Sequence, residues 1–143
     1  MKLVDANVLL YAVNEADSHH EQCLGWLNET MNSGEVVGFA WVVLLAFIRL
    51  STKVGLFPNP LSVFDSLSTV RTWIETGPGV IVQATPNHLH VLAGLLSANG
   101  TGGNLTTDAH LGALALEYNA TIITFDADFG RFPGVKWAPP SHG

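Results

Sequence analysis

Short apolar segments alternate along the chain with longer segments whose apolar residues recur at helical spacing. Short uninterrupted apolar runs, rich in β-branched residues, are typical of strands buried on both faces of a sheet. The pattern predicts strands at 2–4, 35–40, 80–82 and 121–124, with a short fifth strand at 135–137. It predicts helices at 8–12, 19–31, 41–52, 61–74, 86–98 and 105–118.

Strands separated by helices indicate the α/β class, with a parallel sheet of four or five strands covered on both faces. The chain shows no internal repeat and no linker, so we predict a single domain over residues 1–143. Its Pro-Pro-Ser-His-Gly ending predicts a tail that frays from about residue 138.

The composition narrows the possible functions. With 48% hydrophobic residues among 143, the chain can bury a core and is not disordered. A net charge of −6 argues against a generic nucleic-acid coat, because phosphate binding depends mainly on Lys and Arg. Contact with nucleic acid therefore has to be local or bridged by metal cations. The single cysteine excludes an intrachain disulfide and a cysteine-rich zinc module.

The pattern predicts no membrane association. The longest uncharged apolar run, residues 36–48, is shorter than the roughly 20 residues that a membrane-spanning helix needs. An acid at position 5 interrupts what would be the apolar part of a signal peptide. We therefore expect a cytoplasmic protein.

Four of the six aspartates follow strands or begin a helix. Asp5 ends the first strand, Asp126 and Asp128 follow the strand at 121–124, and Asp108 lies in the first turn of the helix at 105–118. If the first and fourth strands are neighbours, these side chains converge at the edge where ligands bind in such sheets. Any one of them alone is better explained as a helix cap or a turn residue. The four together favour a common site.

A convergence of carboxylates requires a compensating cation or proton. Two like charges about 4 Å apart repel by roughly 4 kcal/mol at an effective dielectric constant near 20. Hard oxygen ligands select Mg²⁺, with Mn²⁺ as the alternative ion. Such an ion can activate water and stabilise charge on a phosphate. Asn7 and Thr107 are candidates for orienting the carboxylates, although helix capping explains them equally well.

Three segments resemble the motifs of a known family. They are LVDANVLLY at 3–11, GNLTTDAHL at 103–111 and TFDADFGRF at 124–132. In order and spacing they resemble PIN domains, in the VapC toxin branch of the toxin–antitoxin systems. The resemblance extends from residue 1 to about residue 137.

The resemblance implies a PIN-like three-layer sandwich and a metal-dependent endoribonuclease. Such a toxin cleaves cellular RNA, is neutralised by a cognate VapB-like antitoxin and forms a homodimer. By resemblance, residues 8–13 and 41–50 are the candidate contact surfaces. The implied catalytic residues are Asp5, Asp108 and Asp126, and the implied Mg²⁺ or Mn²⁺ ligands are Asp5, Asp108, Asp126 and Asp128.

One position departs from the family pattern. The family usually carries a Glu in the helix after the second strand, two or three residues before an Arg. Here Ala46 stands at that position, ahead of Arg49, and no acid lies between Glu35 and Asp65. A catalytically weak PIN-fold binding protein is therefore an alternative function.

A phosphatase of the haloacid-dehalogenase type is a more distant alternative. Such an enzyme also begins with a strand that ends in Asp, but it needs a second Asp two residues later as the general acid. Asn7 stands at that position and cannot donate the proton.

Overall fold

The computed structural model describes residues 1–100 and 102–141. Within them, the strands are β1 (Lys2–Val4), β2 (Val37–Ala40), β3 (Gly79–Val82), β4 (Thr121–Ile123) and β5 (Lys136–Ala138). The α-helices are α1 (Ala6–Val13), α2 (His20–Asn32), α3 (Trp41–Ser51), α4 (Val63–Glu75), α5 (His88–Asn99) and α6 (Thr106–Glu117). Two 3₁₀ helices, Gly103–Leu105 and Ala127–Arg131, precede α6 and β5.

All strand pairs are parallel, and the sheet order is β3-β2-β1-β4-β5. The chain moves from β1 towards β3 on one side and from β4 to β5 on the other. Because parallel crossovers are right-handed, this reversal places helices on both faces of the sheet. The helix contacts agree, since α1 packs on α2 and α3, α3 packs on α4, and α5 packs on α6. The predicted α/β fold, with three layers and a fifth strand, is confirmed.

The core lies on both faces of the central strands. Leu3 and Val4 of β1 and Ile122 of β4 are fully or almost fully buried, as the continuous apolar runs predict. Phe39 of β2 stacks on Trp73 of α4, with ring centroids 5.9 Å apart. These contacts hold β1, β2 and β4 in place, and they therefore also position the loops that follow these strands.

Three predicted helix starts are wrong by two residues. Helix α4 begins at Val63 rather than Leu61, because the Ser62 hydroxyl accepts a hydrogen bond from the Asp65 amide and caps the helix. Helix α1 begins at Ala6 rather than Val8, because the Asp5 carboxylate accepts a hydrogen bond from the Ala6 amide at 2.8 Å and caps the helix directly after β1. Helix α5 begins at His88 rather than at Pro86. The Thr85 hydroxyl contacts Glu117 and accepts a hydrogen bond from the Asn87 backbone amide.

The described part of the tail is packed rather than frayed. Pro140 is buried, and its carbonyl accepts a hydrogen bond from the Gln22 side chain at 2.6 Å. Residues 142 and 143 of the expected tail lie outside the described residues.

The apolar residues of α1 and α3 serve different surfaces. Val8, Leu9 and Ala12 are buried in the core, so this part of the expected contact surface at 8–13 is occupied within the chain. On α3, Trp41 and Leu45 are 48% and 59% exposed and remain accessible. Among the described residues, the helices are too short or too polar to cross a membrane.

Candidate metal centre

The four aspartates of the sequence prediction lie at the carboxyl edge of β1 and β4. These two strands pair directly, with Leu3 opposite Ile122 and Val4 opposite Ile123. The strand order reverses at this pair, and ligands bind at such a crevice in open α/β sheets. Asp5 follows β1, and Asp126 and Asp128 lie in the segment after β4. The condition on which the predicted convergence depends, that the first and fourth strands are neighbours, is met.

Three carboxylates lie within reach of one ion. Asp108, Asp126 and Asp128 each offer an oxygen, and these oxygens lie within 4.8 Å of one another. Asp108 enters from the first turn of α6, whereas Asp126 caps the 3₁₀ helix Ala127–Arg131 by accepting a hydrogen bond from the Asp128 amide at 2.9 Å. A set made only of carboxylate oxygens suits a hard divalent cation.

Asp5 lies beside this group, and hydrogen bonds to both of its oxygens hold its carboxylate in place. Its Oδ1 accepts the hydrogen bond from the Ala6 amide, and its Oδ2 accepts one from the Thr124 hydroxyl at 2.7 Å. The Asn7 amide also donates to Oδ2, at 3.4 Å. The structure therefore places Asn7 in contact with a candidate ligand, as an orienting role requires.

Thr124 is a central residue of the site that the sequence analysis missed. The side chain of Thr124 is fully buried. Its hydroxyl donates a hydrogen bond to the Asp5 carboxylate, and it accepts one from the side-chain amide of Asn7 at 3.1 Å and one from the backbone amide of Asp126 at 3.0 Å. One donor and two lone pairs are all that a hydroxyl has, so its capacity is fully used. The position after an apolar strand and two residues before an acid was the available signal.

Burial and neighbouring charges together raise the pKa values of two of these acids. Burial raises the pKa of Asp108 to about 6, and the charges of Asp126, Asp5 and Asp128 act in the same direction. Burial also raises the pKa of Asp5 above its ordinary value, against the hydrogen bonds from Thr124 and Ala6. Both carboxyls are therefore easier to protonate than usual when no cation compensates them.

Ala46 and Thr107 line a small cavity beside these acids. The cavity has a volume of about 60 Å³, and Asp5 and Asp108 also line it. A cavity needs only about 10–15 Å³ to hold a water molecule, so this one has room for water. Among the described residues no hydrogen bond joins the Thr107 side chain to a carboxylate, so the structure supports the orienting role of Asn7 more strongly than that of Thr107.

A second polar group, between α5 and α6, also escaped the sequence analysis. His88 and His110 contact each other through Nε2 and Nδ1 at 2.8 Å. The other nitrogen of His88 contacts the Glu117 carboxylate at 2.5 Å. Residues from two helices form this group, and spacing along one helix cannot reveal it.

The family of the chain follows from comparison with known proteins. The model of the PIN domain family matches residues 2–135. This chain belongs to the PIN domain family. Its relatives include Ribonuclease VapC37 of Mycobacterium tuberculosis, 52% identical over 98% of this chain and 97% of the relative. Ribonuclease VapC33 of the same species is 36% identical over 98% of each chain. This chain therefore belongs to the VapC branch of the family.

Solved structures share the fold at lower identity. A DNA-bound VapBC2 complex from Rickettsia felis contains a chain that matches with a TM-score of 0.71 at 16% identity, covering 96% of this chain and 97% of that one. VapC20 of Mycobacterium tuberculosis, described as a toxin that cleaves the sarcin–ricin loop, matches with a TM-score of 0.68 at 16% identity, over 95% and 99% of the two chains. The PIN match supports neither the phosphatase nor the weak binding protein as the function.

We predict that the metal-free protein loses stability as the pH rises from about 4 towards about 7, because the folded chain holds a proton on Asp108 more tightly than the unfolded chain does. The pKa of Asp108 is about 6 in the folded chain and about 4 in an unfolded one. Between these values the folded chain holds a proton that the unfolded chain has released, so raising the pH favours unfolding. The stabilisation is complete below the unfolded pKa and is lost as the pH passes the folded one.

The measurement is the melting temperature of wild type minus that of Asp108→Asn, followed across this pH range with a chelator present. The difference should fall as the pH rises. The lowered pKa of His110, caused first by burial and then by His88, acts in the opposite sense. Subtracting the variant removes that contribution, and a difference that stays constant with pH would contradict the prediction.

We predict that Thr124→Val weakens metal binding about 10- to 100-fold, the usual cost of losing a group that orients a ligand. The substitution keeps the shape of the side chain but removes the hydroxyl that donates to Asp5. The side-chain amide of Asn7 and the backbone amide of Asp126 then lose their acceptor. Titration calorimetry with Mn²⁺ measures the change. Thr124→Ser keeps the hydroxyl and should bind within a few-fold of wild type, whereas equal losses in both variants would assign the effect to packing.

Proposed function

We propose that the chain is a metal-dependent endoribonuclease and the toxin component of a type II toxin–antitoxin system. The observation that carries the proposal is the group of carboxylates from Asp5, Asp108, Asp126 and Asp128 at the β1–β4 edge. Its relatives at 52% and 36% identity over almost the whole chain are named ribonucleases, which supports the same activity here.

The ion we propose is Mg²⁺, with Mn²⁺ as the alternative, and when bound it activates water and stabilises the charge on the scissile phosphate. Asp108, Asp126 and Asp128 offer it oxygens from two directions, α6 and the 3₁₀ helix Ala127–Arg131. Asp5 adds a fourth carboxylate whose direction is fixed by Thr124 and Asn7. Asp108 has to lose its proton for binding, so metal affinity should rise with pH.

The partners we propose are an RNA substrate and a cognate VapB-like antitoxin. Several structures that share the fold are toxin–antitoxin complexes, including VapBC and FitAB assemblies bound to DNA. Homodimer formation stays a prediction, for which the exposed Trp41 and Leu45 of α3 offer apolar surface. A cytoplasmic location, where RNA and antitoxin both meet the toxin, belongs to the same proposal.

The direct test is cleavage of single-stranded RNA by the purified chain, with Mg²⁺ and with a chelator. We expect metal-dependent internal cleavage that Asp5→Asn abolishes, because the amide removes a charge that the ion needs. Asp65→Asn is the matched control, since Asp65 is exposed on α4 and caps no part of the site. Circular dichroism checks that both variants fold. Metal-independent cleavage, or full activity in Asp5→Asn, would overturn the proposal.

We predict that Ala46→Glu lowers the Mg²⁺ concentration required for half-maximal cleavage. Position 46 lines the same cavity as Asp5 and Asp108, so a carboxylate placed there can reach the ion that they bind. Each tenfold gain in metal affinity corresponds to about 1.4 kcal/mol of binding free energy. Ala46→Gln adds the same volume without the charge and should not lower the requirement. An unchanged requirement in a folded Ala46→Glu protein would mean that the ion lies out of reach of α3.

A further inference from the structure

The acidic site presents a charge problem for an RNA substrate. Asp108, Asp126 and Asp128 form the acidic group and Asp5 lies beside it, while the chain carries a net charge of −6 and only six residues are Lys or Arg. A phosphodiester that approaches this edge is repelled unless cations compensate both the acids and the phosphate itself. The positions of the six basic residues therefore decide where RNA can bind.

Arg131 is the basic residue that pairs with the acidic group. Its Nε lies 3.5 Å from Oδ1 of Asp128. Lys2 and Lys136, by contrast, are the first residues of β1 and β5, so they lie at the opposite, amino edge of the parallel sheet. Arg49 and Arg71 lie on α3 and α4, and Lys53 follows α3, so all three lie outside the segments that carry the acids.

The backbone of Arg131 is fixed by the structure that holds the acids. Arg131 ends the 3₁₀ helix whose first turn is capped by Asp126 and contains Asp128. Phe129, in the middle of this helix, is fully buried in the core. The Arg131 carbonyl accepts a hydrogen bond from the Asn99 side chain at 3.4 Å. The guanidinium therefore projects from a short, anchored element next to the carboxylates.

The ion pair itself is open to solvent. The side chains of Arg131 and Asp128 are 59% and 50% exposed. Exposed pairs of this kind add little to stability, so the Arg131 guanidinium can turn to another anion at little cost. A guanidinium has five N–H donors, and a contact through Nε leaves the terminal nitrogens available for a phosphate.

We propose that Arg131 binds a phosphate of the RNA strand beside the metal centre, and that Asp128 orients its guanidinium for that contact. The inference rests on the proposed function, since it assigns a substrate contact to the same site. Arg131 is a residue for substrate binding, and it should affect the capture of RNA more than the chemical step.

The test compares Arg131→Gln with Lys136→Gln, which removes the same charge at the far edge of the sheet. Binding of a short fluorescent single-stranded RNA is measured in the Asp5→Asn background, where the RNA stays intact, at several salt concentrations. Arg131→Gln should weaken binding roughly tenfold, as expected for one charged hydrogen-bonded contact. The slope of log affinity against log salt should fall by about 0.7, the value for one phosphate contact on a single strand. Lys136→Gln should change neither quantity.

Kinetics in the otherwise wild-type chain provide the second readout. Arg131→Gln should raise KM with little change in kcat, and Arg131→Lys should keep the salt slope while recovering part of the affinity. Equal salt slopes in wild type and Arg131→Gln, or the same loss in Lys136→Gln, would overturn the inference. If wild type cleaves RNA and Arg131→Gln matches it, only this inference fails. If wild type neither binds nor cleaves RNA, the proposed function fails and this inference fails with it.

Discussion

The parallel pairing of β1 with β4 is the constraint on which the candidate site depends. It brings the ends of two strands that are more than 100 residues apart in sequence to the same edge, with Val4 opposite Ile123. The buried side chains of both strands hold this register, because a shift by one residue would disrupt their close packing on both faces of the sheet. Asp5 and the segment around Asp126 are therefore neighbours as a consequence of core packing.

The carboxylates of the site repel one another, and the fold compensates this repulsion only in part. Thr124 connects Asp5, Asn7 and the Asp126 amide through one hydroxyl, and this network holds the acids in place. It does not neutralise them, as the raised pKa values of Asp5 and Asp108 show. A bound divalent cation compensates the repulsion between the carboxylates, and a bound proton compensates part of it. Metal binding therefore releases the proton, and the two are coupled.

Much of the fold and of the site could be predicted from the sequence. The strands at 2–4 and 121–124 are continuous apolar runs, and acids that follow such runs have to lie at the carboxyl edge of a parallel sheet. The early start of α1 is not predicted because the apolar spacing begins at Val8, whereas the Asp5 carboxylate caps the helix at Ala6. The central role of Thr124 and the contact of His88 with His110 depend on which elements pack together, and periodicity along one element does not contain that information.

The central claim is that the carboxylates at the β1–β4 edge hold a catalytic divalent ion. The most direct measurement is anomalous X-ray diffraction from crystals of the antitoxin-free protein grown with Mn²⁺ near neutral pH. The account predicts an anomalous peak about 2.0–2.3 Å from oxygens of Asp108 and Asp126, with Asp5 as a direct or water-bridged ligand. An absence of any peak at these acids at saturating Mn²⁺, or a peak held by other residues alone, would contradict it.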